Sequence, residues 1–122
     1  MFQSSPTPDF RPVGVDEARA LRLLLTQDFR GTAQLRAQSL ALSVTSLDAN
    51  GSLRLSTQVS TPAMVDRRIP IEASYVDSDG VRVHVLLHVV DGYLDEFEVY
   101  REDSGAVNRL PGDRSSVDFE VY

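Results

Sequence analysis

The chain has 122 residues, of which 42% are hydrophobic and 25% are charged, and its formal net charge is −6. This length suits one domain that buries roughly two-thirds of its unfolded surface, and it is too short for two independent cores. No apolar run approaches the roughly 20 residues that a membrane-spanning helix needs. The absence of cysteine excludes disulfides and thiolate metal sites, and it fits a reducing compartment.

The first residues, MFQSSPTPDFRP, are rich in Ser and Pro and lack the basic start and apolar stretch of a secretory signal. We therefore expect residues 1–14 to form a flexible leader and residues 15–122 to form a single α+β domain. A cytoplasmic location is expected because nothing in this segment is typical of export.

Charge is distributed unevenly along the chain. Residues 1–68 hold eight Arg and six Asp or Glu, a net charge of +2, whereas residues 69–122 hold four Arg and twelve acids, a net charge of −8. An acidic half repels phosphate backbones and anionic lipid surfaces, so we expect no binding to nucleic acid or membranes. Two interpretations of this charge stay open. The acidic surface either only keeps the protein soluble or attracts basic partners.

Two helices are expected near the N-terminus. Apolar residues recur at helical spacing along 17–29, after Asp16, which is a suitable N-cap. Gly31 can adopt the left-handed conformation that closes this helix. Thr32 can then cap a short second helix over 33–38, which gives a helical hairpin.

Beyond the helices the apolar period changes to two, which is typical of β-strands. The expected strands lie within 40–47, 53–59, 69–76, 83–90, 93–100 and 116–122. Asn50 and Gly51 between the first two runs are a strong hairpin signal. The segments 60–68 and 104–114 contain Pro or Gly among polar residues and are expected to be connections.

The segment from Val81 to Asp103 is the most informative part of the chain. Two alternating apolar runs meet there at an Asp-Gly dipeptide, which readily adopts positive φ and so predicts a β-hairpin. The first arm is almost entirely apolar, whereas the second carries Asp95, Glu96 and Glu98. We expect one face of this hairpin to lie in the core and the other to form an anionic rim in water.

The predicted architecture is a two-layer α+β domain. A mainly antiparallel sheet of five to six strands would carry the N-terminal helical pair on one face. Parallel winding is disfavoured because short turns, not crossover helices, separate the strands. The expected core consists of Leu21, Leu24, Leu25, Phe29, Leu35, Val83, Val85, Leu87, Val89, Phe97 and Val99.

Catalytic and metal sites are not expected from this pattern. His84 and His88 would share a metal ion on a helix, but on a strand they are about 13 Å apart. The acids of the hairpin have no predicted cleft that would make them an acid and base pair. Without a nucleophile elbow, a phosphate loop or a dinucleotide fingerprint, the sequence predicts a non-enzymatic protein without cofactors.

The acidic strands are the candidate binding surface, because tyrosines on or beside them are the mixed apolar and polar side chains enriched at interfaces. Single exposed aromatic residues are also ordinary surface residues, so both interpretations stay open. The candidate partner-binding residues are Tyr93, Asp95, Glu96, Glu98, Tyr100, Glu102, Asp118, Glu120 and Tyr122. An exposed edge at the final strand would also allow a homodimer.

The segments ALRLLLTQDFRGTAQLRAQ and RRIPIEASYVDSDGVRVHVLLHVVDGYLDEFEVYREDSGAVNRLP resemble a widespread family of small uncharacterised bacterial proteins. The family pattern includes a D-G-x-L-x-E-[LF]-E-V-Y hairpin, and the resemblance covers about residues 18–111. The matching positions are Asp28, Phe29, Gly31, Leu35, Arg36, Gln38, Pro70, Glu72, Ala73, Asp91, Gly92, Leu94, Glu98 and Tyr100. Many members carry a cysteine cluster where this chain has SLDANGSLRLS, so no property of that cluster transfers to this chain.

Some relatives resemble proteins encoded near bacterial toxins, which implies an immunity or accessory role. On that resemblance we expect an immunity protein that neutralises a basic-clefted toxin by covering it with the acidic edge of the sheet. The alternative is a small-ligand sensing or regulatory domain that uses a pocket between helices and sheet.

Overall fold

Alternating apolar residues fold most of the chain into one antiparallel sheet of seven strands. A computed structural model describes residues 9–122 of the protein. The elements are β1 Arg11–Pro12, α1 Val15–Leu24, α2 Thr32–Ser39, β2 Leu42–Ser46, β3 Leu53–Thr57, β4 Ile71–Val76, β5 Arg82–Val90, β6 Tyr93–Arg101, a 3₁₀ turn Arg114–Ser116 and β7 Asp118–Val121.

The α+β class and the antiparallel sheet are confirmed, but the expected five to six strands were too few. All six predicted strands form. The seventh strand is β1, which lies within the segment 1–14 that was expected to be a leader and pairs with β2. A two-residue strand without alternation carries no sequence signal, so only its pairing reveals it. Residues 1–8 of that assigned leader lie outside the described residues.

The strand order is β1-β2-β3-β6-β5-β4-β7, so the central hairpin of β5 and β6 lies in the middle of the sheet. The expectation that the acids of β6 form a sheet edge is therefore wrong. β6 is paired with β5 on one side and with β3 on the other, and its acids belong to a face of the sheet. Among the acidic strands, β7 is the one at an edge.

One face of the sheet packs against the two helices, and the core lies between these layers. Alternate residues of β5 point into it, because the burial pattern of this strand changes at every residue. The expected core is confirmed at ten of its eleven positions, which are buried, and Phe29 is partly buried against them. Among residues 9–122, no helix is long and apolar enough to cross a membrane.

The helix ends differ from those that the sequence predicted. α1 begins after Gly14, whose N–H donates to the Glu17 carboxylate at 2.8 Å, so Asp16 is not the N-cap. The helix ends at Leu24, and Gly31 does not close it. Gly31 has a φ of 92° and instead precedes α2 as its N-cap.

Gln38 of α2 attaches the helical layer to the sheet. Its side-chain amide donates to the Thr61 and Gly92 carbonyl oxygens at 3.0 and 2.9 Å, and its side-chain oxygen accepts from the Leu94 N–H at 2.9 Å. Gln38 is fully buried, so these hydrogen bonds replace those that its amide would make with water in the unfolded chain. This position of the family pattern therefore has a structural role.

A polar network closes the end of the sheet at which β6 finishes. The Arg101 guanidinium donates to the carboxylates of Asp77, Asp79 and Asp103 at distances of 2.7 to 3.2 Å. Asp77 also accepts the backbone N–H of Asn108 at 2.8 Å, so the network ties the β4–β5 turn to the connection after β6.

Candidate functional site

The face of the sheet that points away from the helices carries most of the acidic side chains of the C-terminal half. We call it the open face. Its seven carboxylates belong to Glu72, Asp95, Glu96, Glu98, Glu102, Asp118 and Glu120. Three arginines pair with some of them, namely Arg54, Arg68 and Arg82. Acids therefore outnumber guanidinium groups on this face, which leaves it anionic.

A β-bulge in the hairpin increases the number of acids on the open face. The pairing shifts between His88 and Val89, so that Val89 lies opposite Leu94 while His88 lies opposite Glu96. The extra residue is Asp95, and its carboxylate pairs with Arg54 at 2.8 Å on the open face. Strict alternation would have turned one of these two adjacent acids into the core.

His84 lies at the centre of one cluster on the open face. Its ring stacks on that of Tyr100 with centroids 5.0 Å apart and an interplanar angle of 13°. Nδ1 lies 3.1 Å from a Glu72 oxygen and Nε2 lies 2.8 Å from a Glu102 oxygen. Carboxylates only accept hydrogen bonds, so both contacts are hydrogen bonds only when the ring carries both protons.

Two tyrosines of the open face have raised pKa values and are neutral. Burial, and to a smaller extent contacts with Glu72 and Glu120, raises the pKa of Tyr122 to about 12. Burial and the nearby carboxylates also raise the pKa of Tyr100. The Tyr122 hydroxyl donates to a Glu72 oxygen at 3.1 Å. Both phenols therefore keep their protons at neutral pH and add no negative charge.

His88 lies at the centre of a second cluster. Its Nε2 lies 2.7 Å from a Glu98 oxygen, and its Nδ1 accepts from Nε of Arg68 at 3.3 Å. The second contact leaves the proton of a neutral ring on Nε2. One ligand atom each from His88, Glu96 and Glu98 lies within 4.8 Å of the other two.

A shallow hollow of about 310 Å³ lies on the open face between these clusters. Its lining residues are Arg67, Arg68, Ile69, Glu72, Leu86 and Tyr122. Leu86 faces away from the core because it alternates with the fully buried Leu87. The hollow therefore combines an apolar floor with one carboxylate and two guanidinium groups in its lining.

Strand register and side-chain contacts together place all nine predicted partner-binding residues on the open face. Sequence reasoning missed Glu72, Arg54 and the meeting of His88 with two carboxylates. Along its own strand, His88 has only His84 as a possible partner, at a distance of about 13 Å. A hairpin with a two-residue turn would place His88 opposite Asp95. The bulge instead places Glu96 opposite His88, and no sequence pattern predicts this bulge.

The chain matches a protein family over most of its length. A family model described as "Domain of unknown function (DUF6984)" matches residues 10–111, and no curated protein or solved structure matches the chain. Elements β1 to β6 lie within the matched range, and β7 lies beyond it. The expected resemblance to a family of unknown function is thus confirmed. The chain belongs to the family of domain of unknown function DUF6984.

Proposed function

We propose that this protein is a non-enzymatic binding protein whose open face docks on a basic surface of a protein partner. The observation that carries the proposal is the excess of seven carboxylates over four arginines, Arg54, Arg67, Arg68 and Arg82, on one face of a sheet whose other face is covered. Such a face attracts cationic surfaces and repels nucleic acid and anionic membranes.

The open face also offers apolar contact area, which an interface needs beside charge. Tyr100 and Tyr122 are 40% and 47% exposed, and tyrosine is enriched in the buried centres of interfaces. The hollow above Leu86 adds to this apolar area, and Arg67 and Arg68 in its lining disfavour a cationic group there. The open face therefore combines apolar contact area with an excess of negative charge around it.

Within this class, we propose an immunity protein that neutralises a cognate bacterial toxin by covering its basic cleft. The support is the anionic open face together with the resemblance to proteins encoded near toxins. The test is co-expression with a toxin encoded beside this gene. Restored growth and co-purification of the two proteins would support the proposal, and a toxin that stays lethal without co-purifying would refute it.

Charge reversal tests whether the open face is the contact surface. We expect Glu120→Lys to weaken binding to the purified toxin by about tenfold or more, mainly through a slower association rate. Asp16→Lys is the matched control, because it makes the same charge change at an exposed position on α1. Equal effects of both variants in surface plasmon resonance would exclude the open face as the contact surface.

A small-ligand sensing or regulatory role is the second proposal. Its support is an apolar hollow of about 760 Å³ on the outer side of the helices, lined by residues that include Leu25, Ala37 and Leu40. The space between helices and sheet is filled by side chains such as Leu24 and Leu35. A metabolite that raises the melting temperature without a protein partner would favour this role.

A further inference from the structure

Two histidines of β5 have carboxylates within reach, but the two arrangements differ. At His84, Glu72 faces Nδ1 and Glu102 faces Nε2, so the imidazole ring stands between its two acids. A metal ion bound to either nitrogen of His84 could take only one of these carboxylates. His84 therefore suits an ion pair with its neighbours, not chelation.

At His88 the ring and its two acids bring three possible ligand atoms close together. Glu98 approaches Nε2 at 2.7 Å, and Glu96 lies directly opposite His88 in the ladder. One ligand atom from each of the three residues lies within 4.8 Å of the other two. Metal bonds of about 2.1 Å place ligand atoms roughly 3.4 Å apart, so modest rotations of the glutamate side chains complete the geometry.

The backbone holds these three ligands in place. All of them project from the two central strands of the sheet, next to the bulge at Asp95. Their side chains are 13%, 21% and 37% exposed for His88, Glu96 and Glu98, so the site is half-buried but open to entry. Ligands on rigid strands lose little conformational freedom on binding.

Glu96 has an unused coordination capacity. Within residues 9–122 its carboxylate accepts no hydrogen bond, and its nearest cationic contact is Arg54 at 3.8 Å. Arg54 instead donates to Asp95 at 2.8 Å. A half-buried carboxylate without a donor is available as a metal ligand.

We propose that His88, Glu96 and Glu98 form a binding site for a divalent first-row transition metal ion, with Zn²⁺ as its test ion. One imidazole nitrogen with two carboxylate oxygens favours such ions over Mg²⁺ and Ca²⁺, which prefer oxygen ligands alone. Three protein ligands leave further positions to water. The site does not depend on the proposed partner, because all three ligands come from this chain.

Metal binding at Nε2 of His88 requires one rearrangement. The proton on Nε2 must move to Nδ1, which then no longer accepts from Arg68. Arg68 is 58% exposed and can turn towards solvent. The hydrogen bond from Arg68 therefore competes with metal binding, and Arg68→Ala should increase the affinity for the metal ion.

Isothermal titration of the full chain with Zn²⁺ alone tests the site. We expect one Zn²⁺ per chain, binding weakened by about tenfold or more in both His88→Gln and Glu96→Gln, and weaker binding of Mg²⁺. His84→Gln is the matched control and should bind as the wild type does. Circular dichroism of each variant shows that it is folded.

Two results would overturn the site. One is the absence of Zn²⁺ binding by the wild-type chain, and the other is equal binding by the wild type and both ligand variants. An increase in affinity in Arg68→Ala supports the proposed coordination through Nε2, since a merely structural role of His88 would not produce it.

Discussion

Arg101 Nη1 lies 3.2 Å from an Asp77 carboxylate oxygen, and the two side chains are only 6% and 0% exposed. Burying one of these charges alone would be costly, so each depends on the other and on the hydrogen bonds around them. In the turn Asp77-Ser78-Asp79-Gly80 the guanidinium of Arg101 donates to both acids.

Removal of Asp77 should be destabilising. Asp77→Ala removes one of the three carboxylates around Arg101 and leaves the Asn108 N–H without its acceptor, and we expect a loss of about 1 to 3 kcal/mol in the free energy of unfolding. Asp16→Ala removes an exposed carboxylate of α1 and should change stability by about 0.5 kcal/mol or less. Urea unfolding compares the two, and equal losses would contradict the importance of the buried pair.

The same network should make stability depend on acid pH. Hydrogen bonds from Arg101 lower the pKa of Asp103 to about 2 from its ordinary value. Burial disfavours the charged form of Asp77, but bonds from the Asn108 and Ser78 amides and from Arg101 outweigh it and lower that pKa as well. Both acids therefore bind protons more weakly in the folded chain than in the unfolded one.

The stability that these carboxylates contribute is fully present above their unfolded pKa, at about pH 4 and higher. It is lost as the pH falls towards the folded value of about 2 for Asp103. We expect urea unfolding between pH 5 and pH 2 to show this decline, and Asp103→Asn to show a shallower one. Identical pH profiles for the two proteins would rule out the contribution of Asp103.

Gln38 should be hard to replace by an apolar residue of similar length. Gln38→Met leaves the Leu94 N–H and the Thr61 carbonyl oxygen without the amide partner, whereas the Gly92 carbonyl oxygen keeps the Ala63 N–H as a donor, and each buried group left unpaired costs about 1 to 3 kcal/mol. Gln34→Met on the exposed side of α2 is the control and should be nearly neutral. Hydrogen exchange of the Leu94 amide should accelerate in Gln38→Met alone, and an unchanged rate would argue against this attachment.

The two turn glycines of the β4–β5–β6 meander should differ in their tolerance of alanine. Gly80 and Gly92 both have positive φ, at 89° and 85°. An added Cβ has nothing within 4 Å at Gly80, but at Gly92 it would lie 2.6 Å from the Pro62 Cβ. We expect Gly80→Ala to cost about 1 to 2 kcal/mol through backbone strain alone.

Gly92→Ala should lower the free energy of unfolding by about 1 to 3 kcal/mol more than Gly80→Ala does, because the segment around Pro62 must also move. Thermal unfolding of the two variants measures this difference. Equal melting temperatures would show that the loop of residues 60–68 moves away from the added methyl group at little cost in free energy. Its close approach to the hairpin turn would then contribute little to stability.

The central hairpin shows which features were predictable. Its turn is an Asp-Gly dipeptide and its arms alternate, so local preference and packing point to the same structure. Leu87 could be assigned to the core for the same reason, and it is fully buried. The start of α1 was predicted less well because a glycine without a side-chain acceptor precedes it, and Glu17 supplies the acceptor three residues later.

The candidate site was predictable only in part. The acids of β6 could be placed on one face from alternation, but the bulge that adds Asp95 to that face depends on how β5 and β6 align. The central position of β6 depends on its pairing with β3, which is about 40 residues away in the chain. Contacts over such separations leave no periodic pattern in a sequence.

The sequence by itself determined both helices, every strand except β1, the α+β class, the core-facing residues and the anionic character of the second hairpin arm. These features follow from the local spacing of apolar and charged residues. Only the tertiary structure decided the strand order, the burial of Arg101 among three aspartates and the meeting of His88 with Glu96 and Glu98. Each of these requires the register between segments that are distant in the chain, and register is set by packing of the whole domain.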